Sequence, residues 1–200
     1  MRAFVAIEIP EEIRMRLLDV QQNLRESRLR ASWVKPGAMH LTLRFLGEIG
    51  EADAETYLEH VAPAFAEVSA FDLTVRGVGA FPNARRPTVV WAGVTPADGA
   101  LEAAFRIAEA GAVAIGQKPE NRRFHPHVTL ARIKDDRDKA SGRGAKDAGD
   151  PAIERLAALM RREQSTLFGA FTAKSVSLFS SDLRPQGPVY TCIKEFSFPT

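Results

Sequence analysis

An α+β fold with two lobes is predicted for this chain of 200 residues. Three observations lead there. Segments of apolar–polar alternation are interleaved with segments whose apolar residues recur at helical spacing. The order strand, helix, strand, helix, strand occurs twice, although the residues themselves do not repeat. A short pattern, His40-Leu41-Thr42-Leu43, returns as His127-Val128-Thr129-Leu130, one copy in each half. Together these predict two pseudo-symmetric halves, with antiparallel sheets lining a central cleft and helices outside. Residues 1–200 are expected to form a single domain, since the length suffices for one sizeable core and the composition, 45% hydrophobic and 26% charged, is that of a globular protein.

Residues 2–9 alternate and predict a strand. Pro10 then opens a helix whose first turn carries Glu11 and Glu12, where the helix dipole favours negative charge. Ile13, Leu17, Val20 and Leu24 make its apolar stripe. Trp33-Val34 is a short extended piece closed by Pro36-Gly37. The first histidine strand runs from Met39 to Leu46 and stops at Gly47. A second helix is expected from Glu51 to about Ala66, with Tyr57, Leu58, Val61 and Phe65 on one side. Phe71 to Val78 alternates again. A Pro-bounded loop, Phe81 to Pro87, leads into a buried-type strand, Thr88 to Val94. Leu101, Ala104, Phe105, Ala108 and Ala112 mark a third helix that ends near Gly116.

The second histidine strand is expected over Phe124 to Ile133. The stretch at about 134–150 is rich in Lys, Arg, Asp, Gly and Ala, and predicts an exposed, mobile loop. Ile153, Leu156, Ala157 and Met160 predict a fourth helix. Phe171 to Leu183 and Val189 to Phe198 predict two strands joined through Pro185-Gln186-Gly187-Pro188.

Several function classes are disfavoured by composition. No apolar run approaches the roughly 20 residues that span a bilayer, and Met1 to Ile7 is too short for a secretory signal. The lone cysteine, Cys192, has no internal partner, which favours a reducing cytoplasm. A net charge of +2 permits an anionic substrate without demanding one. A monomer is expected, because no long apolar heptad is present.

The chemistry concentrates in the repeated pattern. On a strand, a histidine and a threonine two residues apart share one face, while the flanking apolar residues point into the core. Two such faces, in a chain with four histidines, predict two imidazoles and two hydroxyls meeting in one cleft. A pair of histidines suits acid–base work, because the ordinary imidazole pKa of about 6.5 makes both protonation states available near neutrality. His40 and His127 are thus the candidate catalytic pair. Thr42 and Thr129 are candidate donors to phosphate oxygens, although threonine also suits any strand.

Arg44, four residues past His40, is expected on the same face. Arg132, five past His127, is turned away by a regular strand and returned by a bulge. His125 precedes His127 by two and is expected to line the cleft or satisfy a backbone carbonyl. A zinc site at His125-Pro126-His127 is disfavoured, because a catalytic zinc needs a third protein ligand and neither motif contains a carboxylate. His60, on the polar side of the second helix, reads as solvated, and so do Arg85 and Arg86. Gly77-Val78-Gly79 lacks the third glycine and following helix of a dinucleotide fingerprint.

The paired motifs resemble the His-x-Thr-x motifs of the two-histidine (2H) phosphoesterases, and within them the RNA 2′,3′-cyclic phosphodiesterases, also called 2′-5′ RNA ligases. Arg2 to Ile7, Trp33-Val34, Leu43 to Gly47, Phe81-Pro82-Asn83, Trp91-Ala92-Gly93, Phe124 to His127 and Gly187 to Tyr190 extend the resemblance over nearly the whole chain. It implies two α+β halves around a cleft, no metal and no cofactor, and hydrolysis of a ribose 2′,3′-cyclic phosphate to a 2′-phosphate. His40 is implied as proton donor to the departing 3′ oxygen and His127 as proton acceptor from water. Thr42, Thr129 and Arg132 are implied to hold the phosphate. The implied partner is RNA with 2′,3′-cyclic phosphate ends, tRNA fragments included, or a nucleotide. Two other readings remain open at this point. One is a phosphodiesterase acting on a small cyclic nucleotide or a 2′-5′ oligonucleotide; the other is a non-catalytic RNA- or nucleotide-binding module.

Overall fold

Nine strands form a single antiparallel sheet in the order β7-β4-β5-β6-β3-β1-β8-β9, with β2 paired to β6. The strands are β1 Arg2–Glu8, β2 Ala31–Trp33, β3 His40–Glu48, β4 Phe71–Phe81, β5 Val89–Pro96, β6 His127–Ile133, β7 Leu167–Ala173, β8 Ser175–Arg184 and β9 Gly187–Ser197. The helices are α1 Glu11–Arg25, α2 Glu51–Phe65, α3 Ala100–Ala114 and α4 Pro151–Arg162. This computed structural model describes residues 1–134, 150–184 and 187–199.

The α+β class and the two related halves expected from the sequence are present. The halves' sheets are continuous, however. The two histidine strands, β3 and β6, lie side by side at the middle and are joined through Leu41 and Val128. On one side of that joint stand β3, β1, β8 and β9, and on the other β6, β5, β4 and β7. The helices do not stay with the strands they follow. α3, which follows β5, packs on β3 and α2, while α1, which follows β1, packs on β7 and α4.

The helical stripes explain this packing. Ile13, Leu17, Val20 and Leu24 of α1 are buried, as are Tyr57, Val61 and Phe65 of α2 and Leu101, Ala104, Ala108 and Ala112 of α3. Gly111 lets α3 approach α2, since a Cβ there would strike Val61 and Tyr57. Asp150 caps α4, its Oδ1 accepting from the Ala152 amide at 2.8 Å.

Three boundaries differ from expectation. The segment from Phe171 to Leu183 is two strands, not one, because β7 pairs with β4 whereas β8 pairs with β1, with the change of partner at Lys174. β6 begins at His127, so His125 lies before the strand and not in register with it. Gly77 and Gly79 lie within β4. The loop expected at about 134–150 falls mostly on residues 135–149, and the hairpin connection partly on 185–186; both lie outside the described residues.

Candidate active site

Each histidine strand is positioned by its neighbour. β1 alternates without interruption, turning Phe4, Ala6 and Glu8 toward the cleft and burying Ala3, Val5 and Ile7 behind. Against it β3 pairs His40 with Glu8 and Thr42 with Ala6, which places both on the cleft face. The next pair is Arg44 with Val5, so Leu43 is an extra residue, a β-bulge. The bulge reverses the alternation: Arg44 turns to the helix side, and Phe45, opposite Phe4, returns to the cleft.

β6 repeats the device. His127 pairs with Gly93 and Thr129 with Trp91; then Ala131 pairs with Val90, leaving Leu130 as the extra residue. Arg132, opposite Val89, is thereby turned to the cleft face. The carbonyl of Leu130 accepts from the Val34 amide at 2.9 Å and from Gln21 Nε2 at 2.7 Å.

His40, Thr42, His127, Thr129, Arg132 and His125 all border one cavity of about 1070 Å³. Arg44 reaches its wall, but its guanidinium is engaged elsewhere: Nε lies 3.2 Å from Glu109 Oε2 and Nη2 donates to the Lys118 carbonyl at 2.9 Å. The same-face placement expected for Arg44 thus fails at the bulge, and Phe45 takes that position.

The histidines are held in the same manner. The His40 ring is hydrogen-bonded to the Ala38 carbonyl, and His127 Nδ1 lies 2.7 Å from the His125 carbonyl. A carbonyl only accepts, so Nδ1 of His127 carries a proton, leaving Nε2 as the acceptor of the neutral ring. Aromatic rings back both imidazoles. Phe4 stacks on His40 at 4.7 Å, with Tyr190 edge-on at 5.2 Å. Phe81 meets His127 edge-on at 5.0 Å, with Trp91 at 6.4 Å. The indole of Trp91 lies across Gly79, where a Cβ would collide with it.

This enclosure sets the proton affinities. Burial lowers the His40 pKa to about 4, opposed by its bond to Ala38 and reinforced by the charges of Arg132 and His127. Burial also lowers His127, with its bond to His125 opposing. Burial raises Tyr190. Both imidazoles are therefore neutral at rest near pH 7, and an arriving anion is what favours a proton on either.

Sequence reasoning found the two histidines, the two threonines and Arg132. It missed Phe4, Phe81, Trp91 and Tyr190 as supports, and Gln21 and Glu109 behind the bulges. The uninterrupted alternation of Arg2 to Glu8 already puts Phe4 on one face of its strand. Gln21 carried no signal, since a lone glutamine on a helix stripe reads as a surface residue. Among the described residues, no three His, Cys, Asp or Glu side chains come together as a metal-ligand group. Among them also, no helix is long and apolar enough to cross a membrane.

A family model described as LigT like Phosphoesterase matches residues 7–91 and 94–190. An RNA 2′,3′-cyclic phosphodiesterase of Methanothermobacter thermautotrophicus is 30% identical over 195 residues, covering 98% of this chain and 97% of that protein. One of Aeropyrum pernix is 34% identical over 180 residues, covering 90% of this chain and 93% of the relative. Among solved structures, TT0787 of Thermus thermophilus superposes with a TM-score of 0.74 at 31% identity, over 99% of this chain and 98% of that one. E. coli LigT complexed with 3′-AMP shares the fold, with a TM-score of 0.72 at 23% identity over 100% of this chain and 98% of its own. The family model spans both histidine strands and most of the sheet between and around them, so the chain belongs to the LigT-like phosphoesterase family.

Proposed function

We propose that this chain hydrolyses the 2′,3′-cyclic phosphate ends of RNA to 2′-phosphomonoesters by acid–base catalysis with two histidines and no metal. The observation that carries this reading is the paired placement of His40–Thr42 and His127–Thr129 around the Leu41–Val128 joint, on one cavity. The names of the relatives, RNA 2′,3′-cyclic phosphodiesterase, support the substrate class.

His127, its Nδ1 proton committed to a carbonyl, takes a proton from water at Nε2. The water oxygen bonds to phosphorus and the bond from phosphorus to the 3′ oxygen breaks. His40, protonated once the anion has bound, delivers its proton to that oxygen. Each such positioned group typically contributes on the order of 10²–10⁴ in rate. Thr42 and Thr129 donate hydroxyl hydrogen bonds to the phosphate oxygens. Arg132 supplies the fixed positive charge that the transition state needs. His125, at the cavity rim, positions His127 through its carbonyl. An RNA 5′ hydroxyl in the place of water leaves a 2′-5′ linkage, so ligation uses the same groups. The exposed, unpaired Cys192 supports a reducing cytoplasmic setting.

The test is metal-free turnover. Wild type, His40→Ala and His127→Ala are incubated with chelator and with cyclic mono- and oligonucleotides, and product is read by phosphorus NMR. A 2′-phosphate formed by the wild type and lost in both variants is expected. Turnover that survives removal of both imidazoles refutes the mechanism. Turnover of mononucleotides alone moves the substrate to small cyclic nucleotides, and absence of any turnover leaves a binding module.

A further inference from the structure

The bulge common to β3 and β6 exposes a position that the proposed chemistry does not use. Five residues after each histidine a side chain returns to the cleft: Arg132 after His127, and Phe45 after His40. One is the phosphate-seeking guanidinium. Its counterpart is an aromatic ring, 58% exposed, bordering the cavity that holds both histidines. Phe4, at 6.0 Å and tilted by 43°, is its ring neighbour among the described residues, so a face of Phe45 is open to the cleft.

Antiparallel pairing of β3 with β6 sends the two positions to opposite ends of the cleft. The charge of Arg132 is felt at His40. Phe45 lies toward the other end, where Phe105, Phe124, Arg122 and Arg123 also border the cavity. Thr42 and Phe45 are three residues apart with the bulge between them, roughly 7–10 Å along the strand. That is the span of a ribose between its 2′,3′ oxygens and its base. A flat apolar ring at that remove from a phosphate seat fits a flat, weakly polar group carried on a sugar phosphate.

We propose that Phe45 is the stacking platform for the base of the terminal nucleotide, so that the cleft takes a nucleotide in preference to a bare sugar phosphate. The proposal rests on the cyclic-phosphodiester reading of the same cavity and names the second half of its substrate. Stacking accepts every base because each has a π face. The platform therefore grants affinity without sequence preference, as suits an enzyme acting on RNA ends of any sequence.

The test measures binding, which does not depend on turnover. Calorimetry compares a nucleoside 2′-monophosphate with 1-O-methylribose 2′-phosphate, which lacks the base, on wild type, Phe45→Ala and Phe45→Trp. In the wild type the base is expected to raise affinity about 10-fold or more, the usual weight of one base–aromatic stack. In Phe45→Ala this advantage falls below about 2-fold while affinity for the base-free phosphate is unchanged, and Phe45→Trp retains it. The four bases are expected to differ little. A base advantage that persists in Phe45→Ala, or is absent from the wild type, overturns the proposal. Equal loss for both ligands assigns Phe45 to the scaffold and overturns it as well. Failure of the hydrolase reading shows separately, as absent turnover of the cyclic phosphate.

Discussion

Gln21, on the buried face of α1, donates from Nε2 to the carbonyl of Leu130 at 2.7 Å and to that of Val34 at 2.8 Å. Leu130 is the extra residue of the β6 bulge, so a helix glutamine fixes the irregularity that turns Arg132 into the cleft. Gln21→Leu is expected to leave the Val34 carbonyl short of its donor and to cost about 1–3 kcal/mol. The measurement is paired: thermal melting falls by several degrees, and affinity for inorganic phosphate drops with it because Arg132 loses its fixed position. A melting loss with unchanged phosphate affinity would separate the bulge from the site.

Arg44 and Glu109 form a second hidden support. Glu109 meets Arg44 with one carboxylate oxygen, and with the other accepts from the Glu120 amide at 2.7 Å, while Arg44 donates to the Lys118 carbonyl. The pair thereby fastens the segment that leads from α3 toward His127. Glu109→Leu strands a mostly buried guanidinium and is expected to destabilise by about 3 kcal/mol. Arg44→Leu combined with Glu109→Leu should recover part of that loss, because neither charge is then left alone. Denaturant melts of the singles and the double decide it, and strict additivity contradicts the ion-pair account.

The depressed imidazoles make two pH predictions. The kcat/KM profile reports groups of the free protein, and with both histidines below their ordinary 6.5 its maximum is expected on the acid side of that value. Inorganic phosphate, followed by proton NMR of the ring signals, should move both titrations upward. An optimum above pH 7 in kcat/KM contradicts the burial argument.

Stability follows the same groups. The unfolded chain protonates His40 near its ordinary 6.5, the folded one at about 4. The unfolded state thus binds the extra proton between these values, and stability is lost as pH falls from 6.5 to 4, by at most about 3 kcal/mol. His40→Asn should flatten the melting temperature over that window. An undiminished slope would assign the loss to other groups.

Gly79 offers a test of the aromatic backing. Gly79→Ala pushes the Trp91 indole off its seat, and with it the rings that flank His127. A fall in kcat of about ten- to a hundredfold is expected from such a misplacement. The signature is that KM changes little. A variant with wild-type kcat shows that Trp91 does not hold His127.

What the sequence disclosed, and what it hid, divides along physical lines. Period-2 and period-3.6 patterns identified most elements, because each has one buried face. β7 was merged with β8, since both read as extended and their separate partners leave no mark on local alternation. His40, Thr42, His127 and Thr129 were visible because two residues on a strand need only regular geometry to share a face. Arg44 and Arg132 lie beyond a bulge, where counting by twos fails, and one bulge sent Arg44 behind the sheet while the other brought Arg132 forward. Support from Gln21 and Glu109 comes from distant segments, and no local spacing encodes it.

The exchange of helices between the halves bears on how the molecule comes apart. α1 leaves the strand it follows to cover the sheet around β4 and β7, and α3 covers β3. The closing strands β8 and β9 then return to the side where the chain began. A fragment cut between β5 and α3 would hold one half's strands with the other half's cover missing. Neither piece is self-sufficient, so the protein should melt in one cooperative step despite its internal twofold. Splitting it there should yield fragments that regain structure only on mixing.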